Sequence, residues 1–322
     1  MNPYQRYLLE EFADEYHERR MSRRDLLRRA VLIMGTAPAA AAALIAVGCG
    51  GDDKQPATGV APAALPSSSP TQQPAASATT AAASAAATPA TTPTQAKGVF
   101  SDITFKGSGS DLLGYLARPA PTGTYPGIVI IHENRGLVEH TKDVARRYAG
   151  QGFVALAVDL VSRAGGSQAD AARNTGALGS AKIDDLIADL KSYIAYLKVL
   201  DGVKPGGVGV TGFCFGGGYA FEAAIASPDV KAAVPYYGIC RLIDDLPKTQ
   251  AAVLAIYGAL DNRVTSQSGK VKEQLAKTGK PFEVKVYDGA NHAFFNDTGA
   301  SYNATAAADA WPKTLDWFRK HV

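Results

Sequence analysis

Apolar positions follow three different rhythms along this chain. Residues 1–21 are rich in charge, with Tyr4, Leu8 and Phe12 on one helical face, a weakly amphipathic pattern. Ala30 to Val47 is a continuous, Ala-rich apolar run. Residues 50–97 are almost entirely Ala, Pro, Ser, Thr, Gly and Gln without one aromatic, so they cannot bury enough apolar surface to offset their ordering entropy. From Val99 the rhythm becomes that of a folded domain. Val99–Phe105 and Leu112–Arg118 read as an opening hairpin, and Gly127–Ile131 as a buried parallel strand. Helix periodicity follows over 140–151, then a strand over 153–158 and a long amphipathic helix carrying Ile183, Leu186, Ile187, Leu190, Ile194 and Leu197 on one face. Strands are predicted at 207–211, 232–237, 252–257 and 282–287, with helices at 219–226, 265–278 and 301–321. Strand and helix alternate, which predicts an α/β domain: a mostly parallel central sheet with helices on both faces.

The strand at 207–211 runs into Gly212-Phe213-Cys214-Phe215-Gly216-Gly217-Gly218 and then a helix-forming run. That is the strand–turn–helix context of the nucleophile elbow G-x-S-x-G, with Cys214 in the serine position. Side chains at Gly212 and Gly216 would collide with the neighbouring strand and helix. The helix start after Cys214 directs free N–H groups and a positive dipole end at the sulfur, favouring a thiolate. The alternative is a Gly-rich turn around an inert cysteine.

Ligands of open α/β sheets sit beyond the carboxyl ends of the strands. Polar residues at those ends are His132, Glu133, Asn134, Arg135, Asp159, Arg163, Cys214, Asp261, Asp288, Asn291 and His292. Cys214, Asp261 and His292 occur in the order nucleophile, acid, histidine, each in a loop just past a strand, which predicts a Cys-His-Asp triad. Taken singly, Asp261 could cap a helix and His292 could stabilise a loop.

The first half carries export features. Ser22-Arg23-Arg24-Asp25-Leu26-Leu27 before the apolar run resembles a twin-arginine signal, and small residues before Cys49 resemble a lipoprotein processing site, with Ala46 where Leu is usual. Three outcomes stay open: a lipidated Cys49, an uncleaved membrane anchor, or simple secretion. All three put the domain outside the cytoplasm, at the outer face of the membrane or beyond. The expected layout is 1–49 export signal, 50–98 disordered tether and 99–322 catalytic domain. A net charge of +3 over 322 residues is nearly balanced and suggests no nucleic-acid partner. No zinc-ligand spacing surrounds His132 and Glu133, so no metal and no cofactor are expected. A monomer is expected, with Cys240 a free buried thiol.

The GFCFGGG elbow, the Asp261 loop, the Gly289-Ala290-Asn291-His292-Ala293-Phe294 loop, Tyr236-Tyr237-Gly238 and the final Trp317-Phe318 helix together resemble the dienelactone hydrolase family, over about residues 99–322. The resemblance implies an α/β-hydrolase fold and hydrolysis of small esters or lactones through Cys214, His292 and Asp261. It implies that Glu133 contacts the resting thiol and that the backbone N–H groups of Asn134 and Phe215 form the oxyanion hole, as the elbow geometry also predicts. It implies substrate binding by Arg163. A second family arginine falls where this chain has Asn296, which sets the dienelactone substrate apart, and Arg135 is the candidate replacement. Other readings are a non-catalytic ligand-binding envelope lipoprotein on the same fold, or a broader carboxylesterase or peptidase. Residues 164–181 are the one candidate flap.

Overall fold

The computed structural model describes residues 1, 3–17, 21–48, 98–120 and 122–322. The tether and Cys49 therefore lie outside the described residues. Three helices come first: α1 (Pro3–His17), α2 (Arg23–Met34) and α3 (Ala37–Ala46). The opening hairpin is β1 (Gly98–Lys106) and β2 (Asp111–Pro119), paired antiparallel as its alternation predicts. Then come β3 (Tyr125–Ile131), α4 (Glu139–Gly150), β4 (Val154–Val158), α5 (Ala171–Ser180) and α6 (Ile183–Lys198). The second half is β5 (Val203–Phe213), α7 (Phe215–Ala226), β6 (Val230–Tyr236), β7 (Ala252–Gly258), α8 (Asn262–Thr265), α9 (Ser268–Ala276), β8 (Phe282–Tyr287) and α10 (Ala304–His321).

The eight strands make one sheet in the order β1-β2-β4-β3-β5-β6-β7-β8. Only β1–β2 and β2–β4 pair antiparallel; the rest are parallel. This is the α/β-hydrolase arrangement. Residues 127–131 and 154–158 are buried throughout, as strands covered on both faces require. On one face α4 and α10 meet through the Tyr148 and Phe318 rings, 6.1 Å apart. On the other, α6 and α7 pack together. The helix predicted over 265–278 is broken into α8 and α9 at Ser266 and Gln267. The flap region contains a helix, α5, begun by the Asp170 side chain accepting from the Ala172 N–H.

The N-terminal segment folds onto the domain. The apolar run 30–47 is interrupted at Gly35, whose φ of 81° ends α2, and Thr36 caps α3. The two helices bend by 107° at this break. Among the described residues, no single helix is long and apolar enough to cross a membrane, although this bent pair passes by length and composition together. Helices α1–α3 also do not stand apart from the domain. Leu8, Leu9 and Phe12 are fully buried and join the same core as the sheet. Leu8, Leu32 and Ile33 lie against Gly176 and Gly179 of α5, whose bare backbone leaves room for them. The physical reason is the apolar stripe of α1, which is stable in water only when covered.

Candidate functional site

β5 ends in Phe213, and the chain turns sharply at Cys214, with φ 56° and ψ −116°, before α7 begins. A β-carbon at Gly212 would overlap the Gly216 carbonyl, and one at Gly216 the Ile131 carbonyl, so this close strand–helix crossing requires glycine. A strained non-glycine residue held this way is a hallmark of a functional turn. Cys214 is 3% exposed.

Asp261 and His292 come from the loops after β7 and β8. His292 Nδ1 and Asp261 Oδ2 are 2.5 Å apart, and Asp261 Oδ1 accepts from the Val264 N–H at 3.3 Å. Asp261 thus both caps α8 and orients the histidine; the two readings of its sequence position coexist. With Nδ1 committed to Asp261, Nε2 is left to face the thiol. A ring nitrogen of His292, the Cys214 sulfur and a carboxylate oxygen of Glu11 lie within 4.8 Å of one another. These three side chains are of metal-ligating types, and they are the group among the described residues that could hold an ion.

Glu11 belongs to α1 and was not anticipated from the sequence. The Cys214 thiol donates to it, with Sγ 3.3 and 3.5 Å from its two oxygens. The Asn134 side-chain amide donates to the same carboxylate at 2.7 Å. The Tyr7 hydroxyl, also from α1, is 3.5 Å from the sulfur. Glu133, expected at the thiol, instead accepts from the Asn296 amide at 3.1 Å. The carboxylate in hydrogen-bond contact with the nucleophile position is therefore Glu11, because α1 fills the space in front of Cys214.

This surrounding sets the charges. Burial pushes the Cys214 thiol up to about 11, and the Glu11 carboxylate adds to the effect while His292 opposes it. Burial works against a charged His292, but Asp261 and then Cys214 outweigh it and raise its pKa well above the ordinary value. Burial likewise disfavours ionised Asp261, yet His292 holds it below the usual carboxylate range. Desolvation and a neighbouring carboxylate thus oppose the helix dipole and favour the neutral thiol.

Among the other candidates, Asn134, Arg135 and Asn291 line a cavity of about 440 Å³ together with Cys214, Asp261 and His292. The Thr175 hydroxyl of α5 donates to the Asn134 carbonyl at 3.0 Å, tying α5 to this loop. Phe215 opens α7 directly after Cys214. Arg163 is a correction: it does not line the cavity, and its guanidinium makes a two-point pair with Asp189 at 2.8 Å on each contact. His132 is structural. Its Nδ1 lies 2.6 Å from the Glu133 carbonyl, its Nε2 accepts from the Leu160 N–H at 3.1 Å, and burial lowers its pKa. Asp159 accepts from the Val161 N–H and from Ser167, which fixes the chain leading to α5. Cys214 and Cys240 are both free; Cys240 is buried and its thiol is pushed up to about 12 by burial. Arg263 was missed. It lines the cavity, is paired with Asp14 of α1 at 2.8 Å and lies over the Tyr7 ring at 4.9 Å. It stands two residues after Asp261, so a survey of the whole loop would have found it.

The sequence profile of the dienelactone hydrolase family matches residues 112–322. A Synechocystis protein described as "Putative carboxymethylenebutenolidase" is 33% identical over 237 residues, covering 68% of this chain and 96% of that protein. A Methylorubrum extorquens protein of the same description is 35% identical over 225 residues, covering 64% of this chain and 76% of the relative. The crystal structure of a Klebsiella pneumoniae protein, described as a "Putative Dienelactone Hydrolase", superposes with a TM-score of 0.64 at 27% identity, covering 70% of this chain and 99% of the other. The elbow, the sheet order and these matches agree, and the chain belongs to the dienelactone hydrolase family, as a hydrolase of that class.

Proposed function

We propose that the chain hydrolyses small esters or lactones through a Cys214-His292-Asp261 triad and a thioester intermediate. The observation that carries this reading is the 2.5 Å contact between His292 and Asp261 beside a cysteine held in a strained turn. His292 Nε2 takes the thiol proton, and the sulfur attacks the substrate carbonyl carbon. The resulting oxyanion is received by the N–H groups of Asn134 and Phe215. The intermediate collapses, the carbonyl re-forms as the bond between the acyl carbon and the ester oxygen breaks, and His292 gives its proton to the leaving alkoxide. Water then attacks the thioester while His292 accepts its proton; the acid leaves and the thiol is restored. Asp261 stays ionised and holds the imidazole in the tautomer with Nε2 free. Arg135 and Arg263 both line the cavity and would meet an anionic substrate group, and the volume of about 440 Å³ suits a small molecule.

The test is p-nitrophenyl acetate hydrolysis by the full chain and by Cys214→Ala. A loss on the order of a thousandfold or more is expected for a nucleophile that acts with its base as a unit. Equal rates in both proteins would remove the triad reading.

The export reading is proposed alongside it, on the strength of the Arg23-Arg24 motif, the apolar run and Cys49. Replacing both arginines by lysine is expected to leave the protein in the cytoplasm, and Cys49→Ser to abolish labelling by radioactive palmitate. Unchanged fractionation and labelling would refute it.

A further inference from the structure

The contacts made by α1 at the cleft have no counterpart in the mechanism above. Its Glu11 carboxylate stands where a substrate carbonyl must come to reach the sulfur, and it is gripped there by the Asn134 amide at 2.7 Å. Its Tyr7 ring and hydroxyl fill the space between Cys214 and Arg263. Its Asp14 carboxylate takes the Arg263 guanidinium at 2.8 Å. Arg263 Nη1 is buried beneath it and makes no hydrogen bond. So the helix meets the nucleophile and a cleft cation with one carboxylate each, the two kinds of group an acidic ester substrate would have to reach. It also changes the charge of the cleft, because Glu11, Asp14 and Glu15 join Glu133 in its lining.

The helix is held there by an apolar face. Leu8, Leu9 and Phe12 are fully buried, and Leu8 rests against Gly179 of α5, the flap helix whose Thr175 binds the Asn134 loop. Arg29 of α2 secures the helix further, over the Phe12 ring at 5.3 Å and against Glu15 at 3.3 Å. The Synechocystis relative and the Klebsiella structure align with 68% and 70% of this chain and with 96% and 99% of their own length, and the family profile begins at residue 112, after this segment.

We propose that α1 is an intramolecular plug: residues 3–17 occupy the catalytic cleft as an internal stand-in for substrate and keep the hydrolase latent until the N-terminal segment leaves. This rests on the triad reading for the identity of the site. Processing at Cys49 would remove α1–α3 together, so export and unplugging would then be one event. Undocking opens the approach to Cys214, removes three carboxylates from the cleft and uncovers Arg263.

The experiment uses the full chain and its Leu8→Asp/Phe12→Asp variant, which puts charge on the buried face of α1. Two quantities are measured: iodoacetamide alkylation, mapped to Cys214 by mass spectrometry, and p-nitrophenyl acetate turnover. The apparent rate of a site that is open only part of the time is reduced by the open fraction, so both are expected to rise at least about tenfold on undocking. If Cys214-dependent turnover is present in the wild type and neither quantity rises, the plug is refuted and the triad stands. If alkylation accelerates but no turnover emerges, the plug stands and the triad reading fails. A fall in turnover would make α1 part of the catalytic machinery and overturn the proposal. Should the double variant fail to fold by circular dichroism, Glu11→Gln keeps the apolar face and is expected to speed alkylation; no change in that rate would also overturn it.

Discussion

Cys214 and Glu11 are 203 positions apart in sequence, yet the thiol donates to the carboxylate at 3.3 Å inside a site that is almost closed to solvent. That contact sets the resting state of the sulfur, since burial and the neighbouring negative charge both favour the protonated thiol.

The first consequence concerns pH. A thiol reacts with alkylating agents as the thiolate, and here the thiol titrates at about 11. Alkylation of Cys214 in the full chain is therefore expected to climb between about pH 8 and 10 without a plateau. Glu11→Gln removes a charge that raises this pKa, so the curve should move to lower pH. A plateau near neutrality in the wild type would contradict the assignment.

Asp261→Asn removes the carboxylate that orients His292 and raises its pKa. A loss of about a thousandfold or more in kcat is expected, with KM little changed, by analogy with removing the acid of other triads. The histidine acts as a base only when neutral, so the acid limb of the pH–rate profile should fall to lower pH in the variant. Steady-state kinetics across pH reads both effects.

Arg163 and Arg135 should separate cleanly. Arg163→Ala leaves Asp189, 1% exposed, without its two-point partner, which should cost about 3 kcal/mol of stability while kcat/KM changes little. Arg135→Ala should leave stability unchanged and raise KM for an anionic ester more than for a neutral one. Denaturant unfolding and paired substrates distinguish the two.

Gly212→Ala places a methyl group onto the Gly216 carbonyl. The backbone must shift at the very turn that presents Cys214, so a loss of about 3 kcal/mol or more is expected together with turnover. Wild-type unfolding and activity in this variant would mean that the elbow can relax.

Much of the catalytic half was legible because its signals are local. Hydrophobic runs and helical periods located β3, β4, β6, β7, β8, α4 and α6 within a few residues. The elbow was readable because its glycines answer a backbone clash between chain neighbours. Asp261 and His292 were readable because a parallel sheet gathers its strand ends at one edge, so position past a strand carries meaning. Arg163 also sits just past a strand, and there the same logic failed. Its long side chain turns back to Asp189 of α6, a choice made by a partner 26 residues away. Glu133 failed for a different reason: Asn296 offers it an amide, and the place beside the sulfur is taken by another helix.

By itself, then, the sequence determined the parallel α/β architecture, the strained cysteine turn and the order of the three candidate catalytic residues, all of which follow from short-range sterics and periodicity. Tertiary structure alone decided that Glu11 meets the thiol, that Arg263 joins Arg135 in the cleft and what covers it. Those outcomes depend on how an amphipathic helix with Leu8, Leu9 and Phe12 on its buried face docks beside α5. Burying that face is non-directional, and only the finished surface of the domain gives it an address.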